Sequence, residues 1–140
     1  MRTYPSIETE FRRHFGEAGN FSWCDFRPHF DGHLINASLT ILPLVSANET
    51  RDKAWNEFRR IWLWLRDWAA YFDEGDSVQV VVGFPIESKP SGQIFKGSLK
   101  VKDLSKLPKE FNMETLIQCG GGFAELINWS KYTPPQSNLM

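Results

Sequence analysis

The chain has 140 residues, 41% hydrophobic and 24% charged, with a formal net charge of −1. That suits one domain with a self-sufficient core, excludes a disordered chain, and argues against a nucleic-acid binder, which carries a basic excess. Two cysteines, Cys24 and Cys119, read as free thiols rather than a disulfide framework. No apolar run approaches the ~20 residues of a membrane span, and the start lacks an apolar signal core, so the expectation is a cytoplasmic protein with no membrane partner.

In chain order, Ile7, Phe11 and Phe15 form one helical stripe, with Ser6 as N-cap and Gly16 as C′ residue. Glu8 and Glu10 come early and Arg12 and Arg13 late, which suits the helix dipole. Asp31-Gly32 then signals a hairpin between strands at about 21–30 and 33–42. With those two residues as the loop, Phe30 faces His33. One sheet face then carries Phe30, Phe26, Cys24, Ile35, Ala37, Leu39 and Ile41. The other carries His29, Arg27, Asp25, Trp23, Asn36, Ser38 and Thr40. A one-residue slip would mix these sets. Pro28 cannot donate to a ladder and implies an edge or a bulge.

Pro43 ends the second strand, and Ser46 with Glu49 forms a possible capping box. The long helix is expected over 51–73, roughly 35 Å, with Gly75 ending it. Residues 77–85, with Val78, Val80, Val81, Val82 and Phe84, predict a buried central strand. Residues 87–92 read as a loop, 93–102 as a half-exposed strand, 103–110 as a connection and 111–118 as a further strand. Residues 123–131 fit a helix through Phe123, Leu126 and Ile127, or a strand through Phe123, Ile127 and Trp129. Residues 1–132 make a single α+β domain, and 133–140 a polar tail. The expected architecture is an antiparallel sheet of about five strands, with one long aromatic-rich helix packed across one face and a short N-terminal helix.

That helix holds Trp55, Trp62, Trp64 and Trp68, four of the chain's six tryptophans. On a helical wheel, Ala54, Phe58, Ile61, Trp62, Leu65, Ala69 and Phe72 form the core stripe, with Trp55 at its margin. Trp64, Trp68 and Tyr71 exceed what that stripe needs. Either the first helix or the C-terminal segment covers them, or they form a homodimer interface, or they line an aromatic ligand pocket. A base-stacking platform is disfavoured by the neutral charge.

The hairpin holds residue types that chemistry uses, but register separates them. Cys24 and His29 fall on opposite faces, as do His29 and His33, which argues against a Cys–His nucleophile and a two-histidine metal site. Cys24 reads as a small buried hydrophobe. The surviving candidate is the polar face: Trp23, Asp25, Arg27, His29, Asn36 and Ser38. It suits a small polar or anionic ligand or a protein partner, or is simply a solvated sheet face. Gly120-Gly121-Gly122 reads as a bulge or tight turn rather than an anion loop. Lys96, Lys100 and Lys102 form a basic stripe. The functional expectation is a small binding or interaction protein, homodimeric through Trp64, Trp68 and Tyr71, with no metal and no cofactor. The alternative is a small enzyme using Asp25 and His29 as acid and base in a pocket between sheet and long helix.

Overall fold

A computed structural model describes residues 4–16, 20–30, 32–42, 44, 46–84, 92–127 and 129. The elements are α1 (Tyr4–Phe15), β1 (Phe21–His29), β2 (Gly32–Thr40), α2 (Ala47–Asp67), a 3₁₀ turn (Ala69–Tyr71), β3 (Ser77–Phe84), β4 (Gly92–Lys100), α3 (Val101–Leu104), α4 (Met113–Gln118) and β5 (Gly122–Glu125). The strands form one sheet in the order β1-β2-β3-β4-β5. The class is α+β, but the sheet is not wholly antiparallel as expected: β2 and β3 run parallel. The reason is the connection. α2 carries the chain back along the sheet, so the next strand starts at the same end as the last one did.

The first helix begins at Tyr4, so Ser6 lies inside it and is not the N-cap. Ile7, Phe11 and Phe15 are buried as one stripe. Two bonds tie this helix to the edge strand. Ser22 Oγ donates to the Arg12 carbonyl at 2.9 Å, and the Phe26 amide donates to the Glu8 carboxylate. The second occupies a backbone donor on an edge that would otherwise leave it unpaired.

The hairpin pairs Phe21 with Thr40 and His29 with Gly32. The loop is therefore residues 30 and 31, one position earlier than expected, and each strand residue meets a partner two positions from the expected one. A shift of two leaves every side chain on its expected face. Cys24, Ile35, Ala37, Leu39 and Ile41 are buried, while Arg27 and His29 are exposed. Phe30 is the correction: it stands at the hairpin tip, 95% exposed, rather than in the core. Pro28 sits on the edge strand, where its missing N–H costs no ladder bond on the outer side.

The long helix starts at Ala47, earlier than expected, and Ser46 Oγ accepts the Glu49 N–H at 3.1 Å. It ends at Asp67, not near Gly75, so its 21 residues span about 31 Å. Ala54, Phe58, Ile61, Trp62 and Leu65 face the sheet fully buried, the stripe the wheel singles out. Gly97 of β4 makes room for it: a Cβ there would lie 3.1 Å from the Phe58 ring and 3.4 Å from Trp62.

Residues 111–118 are the second correction. They form α4, not a strand. Asn112 Oδ1 caps it by accepting the Thr115 N–H at 2.9 Å. Its exit is a Schellman motif: Gly120, at φ +97°, donates to the Ile117 carbonyl and Gly121 donates to the Leu116 carbonyl. The glycines are thus a helix stop. The fifth strand follows at Gly122–Glu125, so Phe123 belongs to a strand. Residues 128, 130 and 131, most of the expected 87–92 loop, Asp31, Pro43 and the 133–140 tail lie outside the described residues.

α1, α2 and the buried faces of all five strands share one hydrophobic core. The helices lie on one side of the sheet, and among the described residues no helix covers the other. No described helix is long and apolar enough to cross a membrane.

Candidate functional site

Strand alternation and register assemble the helix-free face. β1 contributes Phe21, Trp23, Asp25, Arg27 and His29, and β2 contributes Asn36, Ser38 and Thr40. Parallel pairing aligns these with Gln79 and Val81 of β3, and β4 adds Lys96, Ser98 and Lys100. The six residues expected to bind a ligand therefore share one surface, as the alternation requires. Trp23, Asp25, Asn36 and Ser38 are half-buried within it, and Arg27 and His29 are exposed.

Arg27 Nε donates to Asp25 Oδ2 at 2.6 Å, and Gln79 Nε2 donates to Asn36 Oδ1 at 3.3 Å. Asp25 Oδ1 is buried and has no hydrogen-bond partner among the described residues. Among the described residues of the strands, Asp25 is the one carboxylate on this face, and it already has a cation; Lys96 and Lys100 are exposed on β4. The face is locally positive on a chain whose net charge is −1.

Two shallow depressions lie on the same side. One, of about 200 Å³, is lined by Lys96, Gly97, Ser98, Gly122, Phe123 and Ala124. The other, of about 240 Å³, is lined by Ser77, Ser98, Leu99, Lys100 and Gly120. Ser98 belongs to both, so they adjoin. The structure thus brings the lysine stripe together with the glycines after α4, a conjunction the sequence keeps some 20 residues apart. Lys102 is not part of it, because the strand ends at Lys100 and Lys102 lies on α3.

The expected acid–base pair is not assembled. Asp25 and His29 stand four residues apart on one strand, about 13 Å, on the face turned away from α2. Facing away from α2, they do not line the space between sheet and long helix. Cys24 is buried in the core, and burial pushes its thiol up to about 12, so it supplies no thiolate nucleophile. Burial also holds the neighbouring Glu8 carboxyl above its usual range, against the pull of Arg12.

The surplus aromatics Trp64, Trp68 and Tyr71 meet partners inside the chain. Trp64 packs edge-on against Phe11 at 5.5 Å and Phe15 at 5.9 Å, and Trp68 stacks on it at 5.0 Å. Tyr71 lies 5.4 Å from Trp68 and keeps 41% of its surface exposed.

A cluster that sequence reasoning missed lies at the sheet end where β2 and β3 begin. The His33 N–H donates to Asp76 Oδ1 at 3.0 Å, and the His33 ring Nδ1 lies 3.3 Å from the same oxygen. Asp73 stands beside them. The missed signal is the parallel pairing itself. Leu34 faces Ser77, so the preceding residues, His33 and Asp76, stand side by side.

One ion pair links the long helix to the last strand. Arg51 donates from Nε and Nη2 to the two Glu125 oxygens at 2.8 and 3.0 Å, and the Trp129 ring N–H also donates to Glu125. The Arg51 bond holds the Glu125 carboxyl below its ordinary range, against the opposing effect of partial burial. A lowered pKa stabilises the fold above the unfolded value, and that contribution is lost as pH falls through the folded value. Arg51→Met is therefore expected to cost under about 1 kcal/mol at pH 7, the pair being partly exposed. The gap to wild type should close below about pH 4. Urea midpoints at pH 7 and pH 3 check this; an equal gap at both assigns the Arg51 effect to packing instead.

The fold and face define a two-layer α+β protein with one open, locally basic sheet surface. Comparison with known proteins finds no match to a family model, a curated protein or a solved structure.

Proposed function

We propose that this protein works by binding, and that the helix-free face of its sheet receives an acidic segment of a protein partner. The observation that carries this reading is the charge distribution. Lys96 and Lys100 share that face with the Arg27–Asp25 pair, while the chain as a whole is slightly acidic. Charge of one sign gathered on one surface steers and orients an oppositely charged partner. Shape supports a macromolecule over a metabolite. Depressions of about 200 and 240 Å³ fall below the roughly 300–1,000 Å³ of small-molecule sites. Phe21, 66% exposed, and Trp23 add apolar area at one margin, the residue types that anchor interfaces. The aromatic surplus Trp64, Trp68 and Tyr71 adds little to this reading, because α1 packs against the half-buried Trp64 and Tyr71 is the one of the three that is exposed.

The test is an amide NMR titration with a glutamate-rich decapeptide. Shifts are expected at Ser77, Lys96, Ser98 and Lys100, with affinity falling as salt rises. Lys96→Glu/Lys100→Glu should weaken binding about tenfold, each rim charge contributing up to about 1 kcal/mol. Shifts confined to the helical side, or none at millimolar peptide, overturn the reading.

A further inference from the structure

We propose that His33, Asp73 and Asp76 form a binding site for a divalent transition-metal ion, with Zn²⁺ the best match to the donors. One ligand atom from each of these residues lies within 4.8 Å of the others. His33 Nδ1 and Asp76 Oδ1 are 3.3 Å apart. That is the edge expected of a tetrahedral site, about 3.3 Å for metal–ligand bonds of about 2.0 Å. Shortening the third donor's separations from at most 4.8 Å to that edge, by up to about 1.5 Å, completes the arrangement, and that donor, Asp73, is an exposed side chain.

The donors come from two segments that the tertiary fold brings together: His33 at the start of β2, and Asp73 and Asp76 in the connection between the 3₁₀ turn and β3. The middle of the site is held rigidly. The Asp76 N–H donates to the Asp73 carbonyl at 3.0 Å, and the Asp76 carbonyl accepts the Val101 N–H at 2.9 Å. The Asp76 side chain is 1% exposed, while the His33 side chain is 42% exposed. One donor is thus fixed in the protein and two face the entry path, as a site that loads from solvent requires.

Capping the start of β2 accounts for the bond from the His33 N–H to Asp76. The imidazole nitrogen at the same oxygen and the second carboxylate beside it add two further donors. Two carboxylates this close repel, and a cation between them reverses that sign. The imidazole selects among cations. An all-oxygen set suits Mg²⁺ or Ca²⁺, whereas a mixed nitrogen and oxygen set suits Zn²⁺ and its neighbours in the first row. Three protein donors leave at least one position for water or for a group from a partner. Bound metal would clamp the hairpin to the loop before β3.

The test is calorimetric titration of the chelator-treated full chain with ZnCl₂, MgCl₂ and CaCl₂. The expected result is one Zn²⁺ per chain at micromolar or tighter affinity, with Mg²⁺ and Ca²⁺ at least a hundredfold weaker. Asp73→Asn and His33→Gln should each weaken Zn²⁺ binding at least tenfold. Both change side chains with exposed surface, and circular dichroism verifies that the fold is kept. At a hundredfold excess over Kd, Zn²⁺ should raise the wild-type Tm by about 8 °C, and much less in Asp73→Asn. Absence of saturable binding overturns the proposal. So does Zn²⁺ affinity unchanged in both variants, which places the ion at another surface histidine or at Cys119, and so does Mg²⁺ binding as tight as Zn²⁺.

Discussion

Phe58→Ala should lower the unfolding free energy by about 3–5 kcal/mol, the range for emptying a large aromatic site in a core. Phe58 is fully buried and meets Trp55 at 5.8 Å, Trp62 at 6.0 Å, Phe95 at 5.5 Å and Phe123 at 5.8 Å. These rings come from α2, β4 and β5, so the substitution loosens three elements at once. The cavity cannot collapse easily, because its walls are rigid rings attached to separate backbones. That places the cost at the upper end for its volume. A domain of this size has only about 5–15 kcal/mol in total, so the variant sits near the unfolding threshold. Tyr71→Ala is the control: with 41% of its surface already exposed, it should cost about 1 kcal/mol or less. Urea denaturation with an unchanged m-value reads both. A loss below about 1.5 kcal/mol at Phe58 means that the cluster repacks, and that the aromatic helix is not the rigid centre of the fold.

Asp76→Ala, in metal-free buffer, should cost about 2–4 kcal/mol, more than its size suggests. Its carboxylate accepts the His33 N–H at the start of β2, and a buried donor left without its acceptor costs about 1–3 kcal/mol. The vacated volume adds to that, since the side chain is 1% exposed. Asp76→Asn keeps an oxygen in place and should lose less than half as much. The backbone around this carboxylate is specialised as well. Gly32 adopts φ +144°, a conformation that L side chains rarely take, and a Cβ there would lie 2.9 Å from Asp76 Oδ1. Gly32→Ala should therefore cost about 1–3 kcal/mol through strain and displacement of the same oxygen. Thermal and urea unfolding of the three variants give the order. Equal losses for alanine and asparagine at position 76 would show that volume, not the hydrogen bond, sets the cost.

Elements with a strong internal period were legible in the sequence. The stripe Ala54, Phe58, Ile61, Trp62 and Leu65 is the buried face of α2, and Ile7, Phe11 and Phe15 are that of α1. The hairpin faces were legible even though the pairing was off by two, because the side-chain period is two and an even shift preserves it. The segment 111–118 was not. Its helix has only six residues, too few for the 3.6-residue period to declare itself, and its identity rests on the Asn112 cap and the Gly120 stop. Half of the candidate binding face was legible on the hairpin. The other half, Ser77, Lys96, Ser98 and Lys100, needed the strand order.

What the sequence determined by itself is which side of each segment turns inward, because that depends on residues two to four positions apart. Trp64 shows where this stops: the wheel marks it as surplus, but only the packing of α1 brings Phe11 and Phe15 against it, leaving it half-buried. The direction of β3 was likewise decided by tertiary structure, through the path of α2 across the sheet. His33 meets Asp76 from 43 residues away only because that strand runs parallel. A local pattern sorts side chains in and out; it carries no information on which distant segment stands opposite, and that is where this protein places its buried carboxylate and its imidazole.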